Sequence, residues 1–266
     1  MSPAQVNPQI LDSLKARGMK IHRHSPTRDI IFENLSDEGK GIFYSEMKHY
    51  SVRLILRDMI KHQDGFTPDM LGSFSVSEEK ERCINLMYDL GIVEKTNDLF
   101  RLKKRPIRSF GPTLEWFVAR LMEREFASPS VWGIRFKGIS SGGDFDVISQ
   151  YQRELVYIEV KSAPPKGIEV SEAASFLKRI NSLLPRAAFF FVDTELRMRD
   201  RVVLLFHQEF LQSMKDPFPK RLDLKCLERE IFHINHRIFI LNSARDVVKN
   251  FTVCLRDFLA NGLKAI

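Results

Sequence analysis

The chain has 266 residues, 44% of them hydrophobic, which is enough to bury a good core and too long for a small module; two domains are expected. Lys and Arg number 41 against 34 Asp and Glu, and the formal charge of +7 favours a polyanionic partner. The three cysteines, Cys83, Cys226 and Cys254, lie far apart, which excludes a Cys-x-x-Cys zinc pattern and argues against a disulfide framework.

The opening MSPAQVNPQILDSLKARG lacks the basic start, apolar core and small-residue cleavage site of a signal peptide. The most apolar run, AAFFFV at 187–192, is far too short to span a bilayer, so a soluble, cytoplasmic protein with no membrane partner is expected. Residues 1–49 give no settled pattern: Pro3, Pro8 and Pro26 punctuate them, and DIIFENL at 29–35 reads as a strand or as a helix start. From Tyr50, the spacing of Val52, Ile55, Met59 and Ile60 predicts a helix. Thr67-Pro68 supplies the cap and first-turn proline of a short helix through Leu71. A third helix starts near Ser77 with Glu78 and Glu79 in its first turn, carries Cys83, Ile84, Met87, Tyr88 and Leu90, and stops at Gly91. Two short strands, 92–95 and 99–102, then flank the turn-like Thr96-Asn97-Asp98.

Three helices followed by a hairpin resemble a winged-helix domain, placed at 50–108, a fold that commonly binds DNA or protein. Glu78, Glu79 and Glu81 at the start of its third helix would repel phosphates, so base readout and protein contact both stay open. Lys103, Lys104, Arg105 and Arg108 form a basic connector after the hairpin, a candidate contact for a nucleic-acid backbone.

The second domain, 109–266, opens at Gly111-Pro112 with the helix TLEWFVARLMEREF, whose Leu114, Phe117, Val118, Leu121, Met122 and Phe126 share one face. Glu115 falls inside that apolar arc, between Met122 and Phe126; a first-turn glutamate favoured by the helix dipole and escaping to solvent is the plainer account of it. The stretch GGDFDVISQYQRELVYIEVKS at 142–162 reads as a β-hairpin carrying four charges, and a loop with Pro164, Pro165 and Gly167 follows it. A helix at 171–184 and a buried strand at 187–192 complete a β-α-β order. RVVLLF at 201–206 and residues 230–242 read as further strands, and Ser243 caps a last amphipathic helix that ends before Gly262. The expected class is α/β, a mixed sheet flanked by helices.

Alternation places Leu155, Tyr157, Glu159 and Lys161 on one strand face, and Asp144, Asp146 and Ile148 on one face of the preceding strand, opposite Phe145 and Val147. With 150–154 as the turn, Asp146 lies opposite Ile158 or Glu159. Two carboxylates and an ammonium brought together this way suit Mg²⁺ or Mn²⁺, which takes oxygen ligands. The ion would offset the carboxylate repulsion and polarise a water, while Lys161 orients that water or stabilises charge on a phosphate.

An acid on a helix, an Asp on a strand, then acid-x-Lys on the next strand, a helix and a buried strand resemble the PD-(D/E)XK nuclease superfamily, the restriction-endonuclease-like fold. The residues that carry the likeness are Glu115, Asp146, Glu159-Val160-Lys161, the helix after them and AAFFFV. The order and spacing are most similar to the archaeal Holliday-junction resolvases. The resemblance implies that Asp146 and Glu159 hold a divalent metal with the Val160 carbonyl, that Lys161 assists the water, and that Glu115 holds the metal's water shell or a second ion. It implies DNA as substrate, duplex or branched with RNA still open, and a homodimer. No proline precedes either aspartate, so Asp144 stands as the alternative metal acid, and no Gln-x-x-x-Tyr follows Lys161. Acid-x-Lys also occurs at Glu38, Glu46, Glu78 and Asp223, so the tripeptide alone says little.

Weaker candidates are His22 with His24 and His233 with His236 as metal ligands lacking a third partner, Ser140 and Ser141 in a turn, Gly142 and Gly143 as a close-approach point, and Arg197, Arg199 and Arg201 as backbone contacts. The expected function is a metal-dependent DNA endonuclease. A non-catalytic DNA-binding or adaptor protein of the same fold, and a winged-helix transcriptional regulator with an appended domain, are the alternatives.

Overall fold

The structure, a computed structural model, describes residues 8–72, 76–138, 144–213 and 224–263. Helix α1 (Pro8–Ala16) and strand β1 (Ile21–Arg23) precede α2 (Asp37–Met47), α3 (Tyr50–Lys61), α4 (Ser77–Asp89) and the hairpin of β2 (Val93–Thr96) and β3 (Leu99–Leu102). Helix α5 (Gly111–Phe126) leads to β4 (Ser130–Phe136), β5 (Phe145–Tyr151), β6 (Glu154–Lys161), α6 (Val170–Leu183), β7 (Ala187–Val192) and α7 (Leu204–Ser213). Strands β8 (Leu224–Glu228), β9 (Ile231–Ile234) and β10 (Ile238–Asn242) and helix α8 (Val247–Asp257) follow. The chain divides into two compact units, Pro26–Phe117 and Met1–Ser25 with Val118–Ile266, so the division falls inside α5 rather than at 108. Residues ahead of Pro26 join the larger unit because β1 pairs with β4 and Ile10 and Leu14 enter that unit's core.

In the unit Pro26–Phe117, the helix predicted from Tyr50 is α3, with Val52, Ile55, Leu56, Met59 and Ile60 buried. The short helix is a single turn, Pro68–Met70, and α4 ends at Asp89, with Gly91 just past its cap residue Leu90 at a φ of +70° open to glycine at little cost. Strands β2 and β3 pair from Val93↔Leu102 to Thr96↔Leu99 around Asn97. The undecided stretch 29–35 forms neither a strand nor a helix. Its Ile30 and Ile31 are buried from a loop, and the Ile31 N–H donates to Thr113 Oγ1 at 3.0 Å. Helix α2 was not foreseen; Ser36 caps it, its Oγ accepting from the Gly39 N–H at 3.0 Å.

The larger unit is built on an eight-stranded mixed sheet in the order β1-β4-β5-β6-β7-β10-β9-β8. Strands β6, β7 and β10 run parallel, and the other pairs are antiparallel. The all-apolar AAFFFV is β7, buried on both faces between two parallel neighbours, which is where such a run belongs. One face carries Tyr157 and Phe190 under Phe176 of α6, with ring centroids 5.8 and 5.3 Å apart. The other carries Phe189 and Phe239, stacked at 5.1 Å, under Phe251 of α8.

Residues 201–206 are not a strand: a turn, Arg199–Val203, and the start of α7 occupy them. Val202, Leu205 and Phe206 are buried at helical spacing in the same cluster as Phe176, and a short apolar run does not by periodicity alone separate helix from strand. Asp246, not Ser243, caps α8, accepting from the Lys249 N–H at 3.1 Å. Ser243 instead donates to the buried carboxylate of Asp193. No helix among the described residues is long and apolar enough to cross a membrane.

A buried cluster of carboxylates and cations

The hairpin of β5 and β6 closes at Tyr151↔Glu154, with Gln152 and Arg153 at φ of +49° and +67°. Both central residues in the left-handed region mark a two-residue turn of type I′, tighter than a turn over 150–154. The register follows from it: Ser149 pairs with Val156, and the ladder ends at Val147↔Ile158. One further step puts Asp146 across from Glu159 rather than Ile158. There the Asp146 carboxylate accepts the Val160 N–H at 2.8 Å.

Simple alternation along β5 does not survive. Phe145 packs edge-on against Tyr157 at 5.3 Å and shares an apolar cluster with Ile148, although two-residue periodicity would set it with Val147. The break falls at Asp146, and on β4 Gly133, at φ +53°, lies between the pairs Trp132↔Val147 and Ile134↔Phe145. Alternation breaks at the same level on β4, where Val131 and Ile134 both join that cluster. Asp144 goes elsewhere: its carboxylate is bound to Arg135 Nε at 2.5 Å and to Arg23, on β4 and β1.

Glu159 is the centre of the site. Its side chain is 1% exposed, in a strand flanked by β5 and β7 and covered by α6. Arg179 Nη1, from α6, donates to both carboxylate oxygens at 2.7 Å, Lys161 Nζ sits 2.9 Å from Oε1, and the Tyr157 hydroxyl donates to Oε2. Lys161 also pairs with Glu172 Oε1 at 2.9 Å, and Glu172 Oε2 accepts the Glu169 N–H that opens α6, at 3.0 Å. Glu172 and Arg179 are seven residues apart and so lie on one face of the helix. At the end of β6, the Asp193 N–H donates to the Lys161 carbonyl at 2.8 Å, tying the strand end to that of β7.

The electrostatics follow from burial opposed by pairing. Burial pushes the Glu159 carboxyl up, but Lys161, Arg179 and the Tyr157 hydroxyl prevail and leave it below the usual carboxylate value. Lys161 is disfavoured as a cation by burial, yet Glu159, Asp146 and Glu172 raise it above the ordinary lysine range. It is therefore an ammonium at neutral pH, a source of positive charge and hydrogen bonds and not a proton acceptor. Burial first, then Glu159 and Asp146, push the Tyr157 hydroxyl well up, so it stays a donor.

Asp146 and Glu159, on adjacent strands with the Val160 backbone beside them, are hard oxygen donors of the kind Mg²⁺ and Mn²⁺ take. The donor set fits such an ion on one condition. Glu159's lone-pair positions are engaged by Arg179, Lys161 and Tyr157, so a ligating Glu159 has to give up one of them.

Glu115 is half-buried on the part of α5 that belongs to the other unit. The basic connector lies inside that unit too. Lys104 donates to the Thr27 carbonyl at 2.6 Å, and Arg105 pairs with Glu94 at 3.4 Å and Asp64 at 3.7 Å, while Lys103 and Arg108 are exposed. Ser140, Ser141, Gly142 and Gly143 lie outside the described residues. Arg197 is on an exposed turn, 3.8 Å from Asp200, and Arg199 lies over the Phe232 ring.

His233 and His236 acquire a third group that spacing did not reveal, Asp257 of α8, 2.8 Å from His236 Nδ1. Burial lowers His233 and keeps it neutral, and its Nδ1 accepts the His236 N–H at 3.1 Å, which leaves the proton on Nε2. Both rings are thus committed to closing the β9–β10 turn onto α8. Sequence reasoning missed Arg179 and Glu172. Arg179 carries a legible signal, since it lies three residues after buried Phe176 and four before buried Leu183, a charge within the apolar stripe of α6.

No family model and no curated protein matches the chain. Among solved structures, the protein VC1899 from Vibrio cholerae is similar with a TM-score of 0.43 at 12% identity. The match covers 68% of this chain and 57% of that one. The chain is an α/β protein with an eight-stranded mixed sheet flanked by helices.

Proposed function

We propose that the protein is a divalent-metal-dependent nuclease that hydrolyses phosphodiester bonds of DNA, with Met1–Ser25 and Val118–Ile266 as a restriction-endonuclease-like domain and the helices and hairpin of Pro26–Phe117 as a winged-helix-like one. The observation that carries the reading is the convergence of Asp146, Glu159 and Lys161, the acid, acid and lysine of the sequence pattern, in one cluster at the end of β6. Asp146 and Glu159 would hold the ion, with the Val160 carbonyl as the adjacent donor. When bound, Mg²⁺ or Mn²⁺ supplies a polarised water and offsets negative charge on the phosphate. The Val160 N–H orients the Asp146 carboxylate, and the Tyr157 hydroxyl orients Glu159. Lys161, held as an ammonium, stabilises the charge that develops on the phosphate oxygens. Glu172 fixes the direction of that ammonium.

The test is incubation of purified protein with labelled duplex, branched and single-stranded DNA and with RNA, in Mg²⁺, Mn²⁺ or EDTA. Metal-dependent cleavage lost in Asp146→Ala and in Lys161→Ala is expected. Cleavage that persists in both variants sinks the assignment. A second reading, a DNA-binding protein that keeps the fold without catalysis, is favoured by the saturation of Glu159 by Arg179, Lys161 and Tyr157. It predicts salt-sensitive binding that neither metal nor EDTA alters.

A further inference from the structure

We infer that Arg179 is a built-in counter-ion for Glu159 that a divalent cation must displace, so that metal affinity is set by competition between a guanidinium and the ion for one buried carboxylate. The inference rests on the reading of Asp146 and Glu159 as metal ligands and adds a regulating residue to that site. Glu159 is 1% exposed, so solvent does not satisfy it, and the four contacts from Arg179, Lys161 and Tyr157 occupy its oxygens. An ion entering the site therefore exchanges with one of three donors.

Geometry selects which. Tyr157 is two residues away on the same strand, and its ring is wedged between Phe145 at 5.3 Å and Phe176 at 5.8 Å. Lys161 starts from that strand too, and its ammonium is held by a second acceptor, Glu172, at 2.9 Å. Arg179 comes from a different element, on a long side chain. It also holds Glu159 through one nitrogen, Nη1, which spans both oxygens, in place of the two parallel bonds a guanidinium can make. Its Nε is buried and has no hydrogen-bond partner among the described residues. Charge points the same way. Among the described residues, three carboxylates, Asp146, Glu159 and Glu172, meet two cations, Lys161 and Arg179, so these five groups are one charge from balance before any ion enters. Adding a dication while Arg179 stays in contact would leave excess positive charge in a buried site. Withdrawal of Arg179 relieves it.

The experiment measures Mn²⁺ binding directly, by titration calorimetry and by the loss of the free-ion paramagnetic resonance signal, in the full-length wild type, Arg179→Met, Arg179→Lys and Asp146→Ala. Circular-dichroism melts check that each is folded. Arg179→Met is expected to bind Mn²⁺ at least about tenfold more tightly than wild type, the scale of coupling between groups that share a partner, and Arg179→Lys less so. Asp146→Ala is expected to lose the binding. Equal or weaker binding by Arg179→Met, with wild-type binding that depends on Asp146, overturns the counter-ion role and leaves the metal site standing. Binding that is absent from every variant, or indifferent to Asp146, overturns the metal site itself and the inference with it. If Arg179→Met does not fold, the wild type soaked with Mn²⁺ decides by crystallography: an ion on Glu159 with Arg179 withdrawn supports the exchange, and an ion on Glu159 with both Arg179 contacts kept overturns it.

Discussion

Replacing Glu159 by glutamine keeps the shape of the side chain and removes the one charge that Lys161 and Arg179 share. Removing one partner of a buried pair costs about 3–5 kcal/mol, because the remaining charge is left without compensation. Two features set the value here. Among the described residues Arg179 Nη1 has no acceptor but Glu159 and bears the full loss, whereas Lys161 keeps Glu172, whose side chain is 31% exposed. The glutamine oxygen still accepts one bond. The expected loss is therefore about 3 kcal/mol, the lower end of that range. Urea unfolding followed by Trp132 fluorescence, in a Trp116→Phe background so that the signal comes from the sheet-bearing unit, measures it. Replacing both partners, as Glu159→Met with Arg179→Met, should recover part of the loss, since an apolar pair leaves fewer buried charges unpaired. The pH dependence has a definite sign. Glu159 lies below its ordinary 4.5, so its contribution is present above about pH 4.5 and fades as pH falls through the folded-state value. Lys161 lies above its ordinary 10.5, so its contribution is present below about pH 10.5 and fades as pH rises through the higher folded-state value. The gap between wild type and Glu159→Gln should be widest between those limits and close in acid. A loss under about 1 kcal/mol at neutral pH, or a gap that does not narrow in acid, would refute the view that Glu159 is a buried anion compensated by two cations.

Tyr157→Phe removes a hydroxyl that donates to the buried carboxylate but keeps the ring against Phe145 and Phe176, and should cost about 2 kcal/mol in the same unfolding assay. Gly91→Ala forces a side chain onto a φ of +70° and should destabilise the helical unit by about 1–2 kcal/mol, read from Trp116 in a Trp132→Phe background. Burial pushes the Cys83 thiol up to about 12 and the Cys254 thiol well above its usual value, while Cys226 is exposed. Iodoacetamide at pH 8 should therefore add one group to the native protein, at Cys226, and three in denaturant, as mass spectrometry would show.

What the sequence discloses about the site stops where contacts become non-local. Alternation within one strand is enough to align Glu159 with Lys161, and hairpin closure is enough to bring Asp146 near them, because both are fixed by a handful of consecutive residues. The one-residue choice between Ile158 and Glu159 as the residue facing Asp146 is left open by the turn. Gln152-Arg153 closes a type I′ turn without the asparagine or glycine that usually announces one, so the sequence offered no sign that the loop was two residues long. Phe145 changes sides next to a neighbouring strand's irregularity, Gly133, and β1 joins the sheet by pairing with β4 more than a hundred residues later. The same limit applies to 201–206, whose apolar run suits a buried strand equally well until β10 occupies the place beside β7.

Arg179 shows how that limit can be pushed back. It lies 20 residues after Glu159, on the crossover helix, so no spacing rule pairs them. Each is nevertheless out of place by itself: Glu159 interrupts the apolar run of β6, and Arg179 interrupts the buried stripe between Phe176 and Leu183. A buried anion and a buried cation cannot be stable separately, because each would carry its own desolvation cost without an attraction to offset it. A right-handed crossover lays α6 back over the strands it connects, which leaves the stripe of α6 and the face of β6 as the surfaces that must meet. Two misplaced charges of opposite sign on those surfaces therefore identify each other. Periodicity, handedness and charge alone select Arg179 over Lys178, which lies one residue away, exposed and outside the stripe.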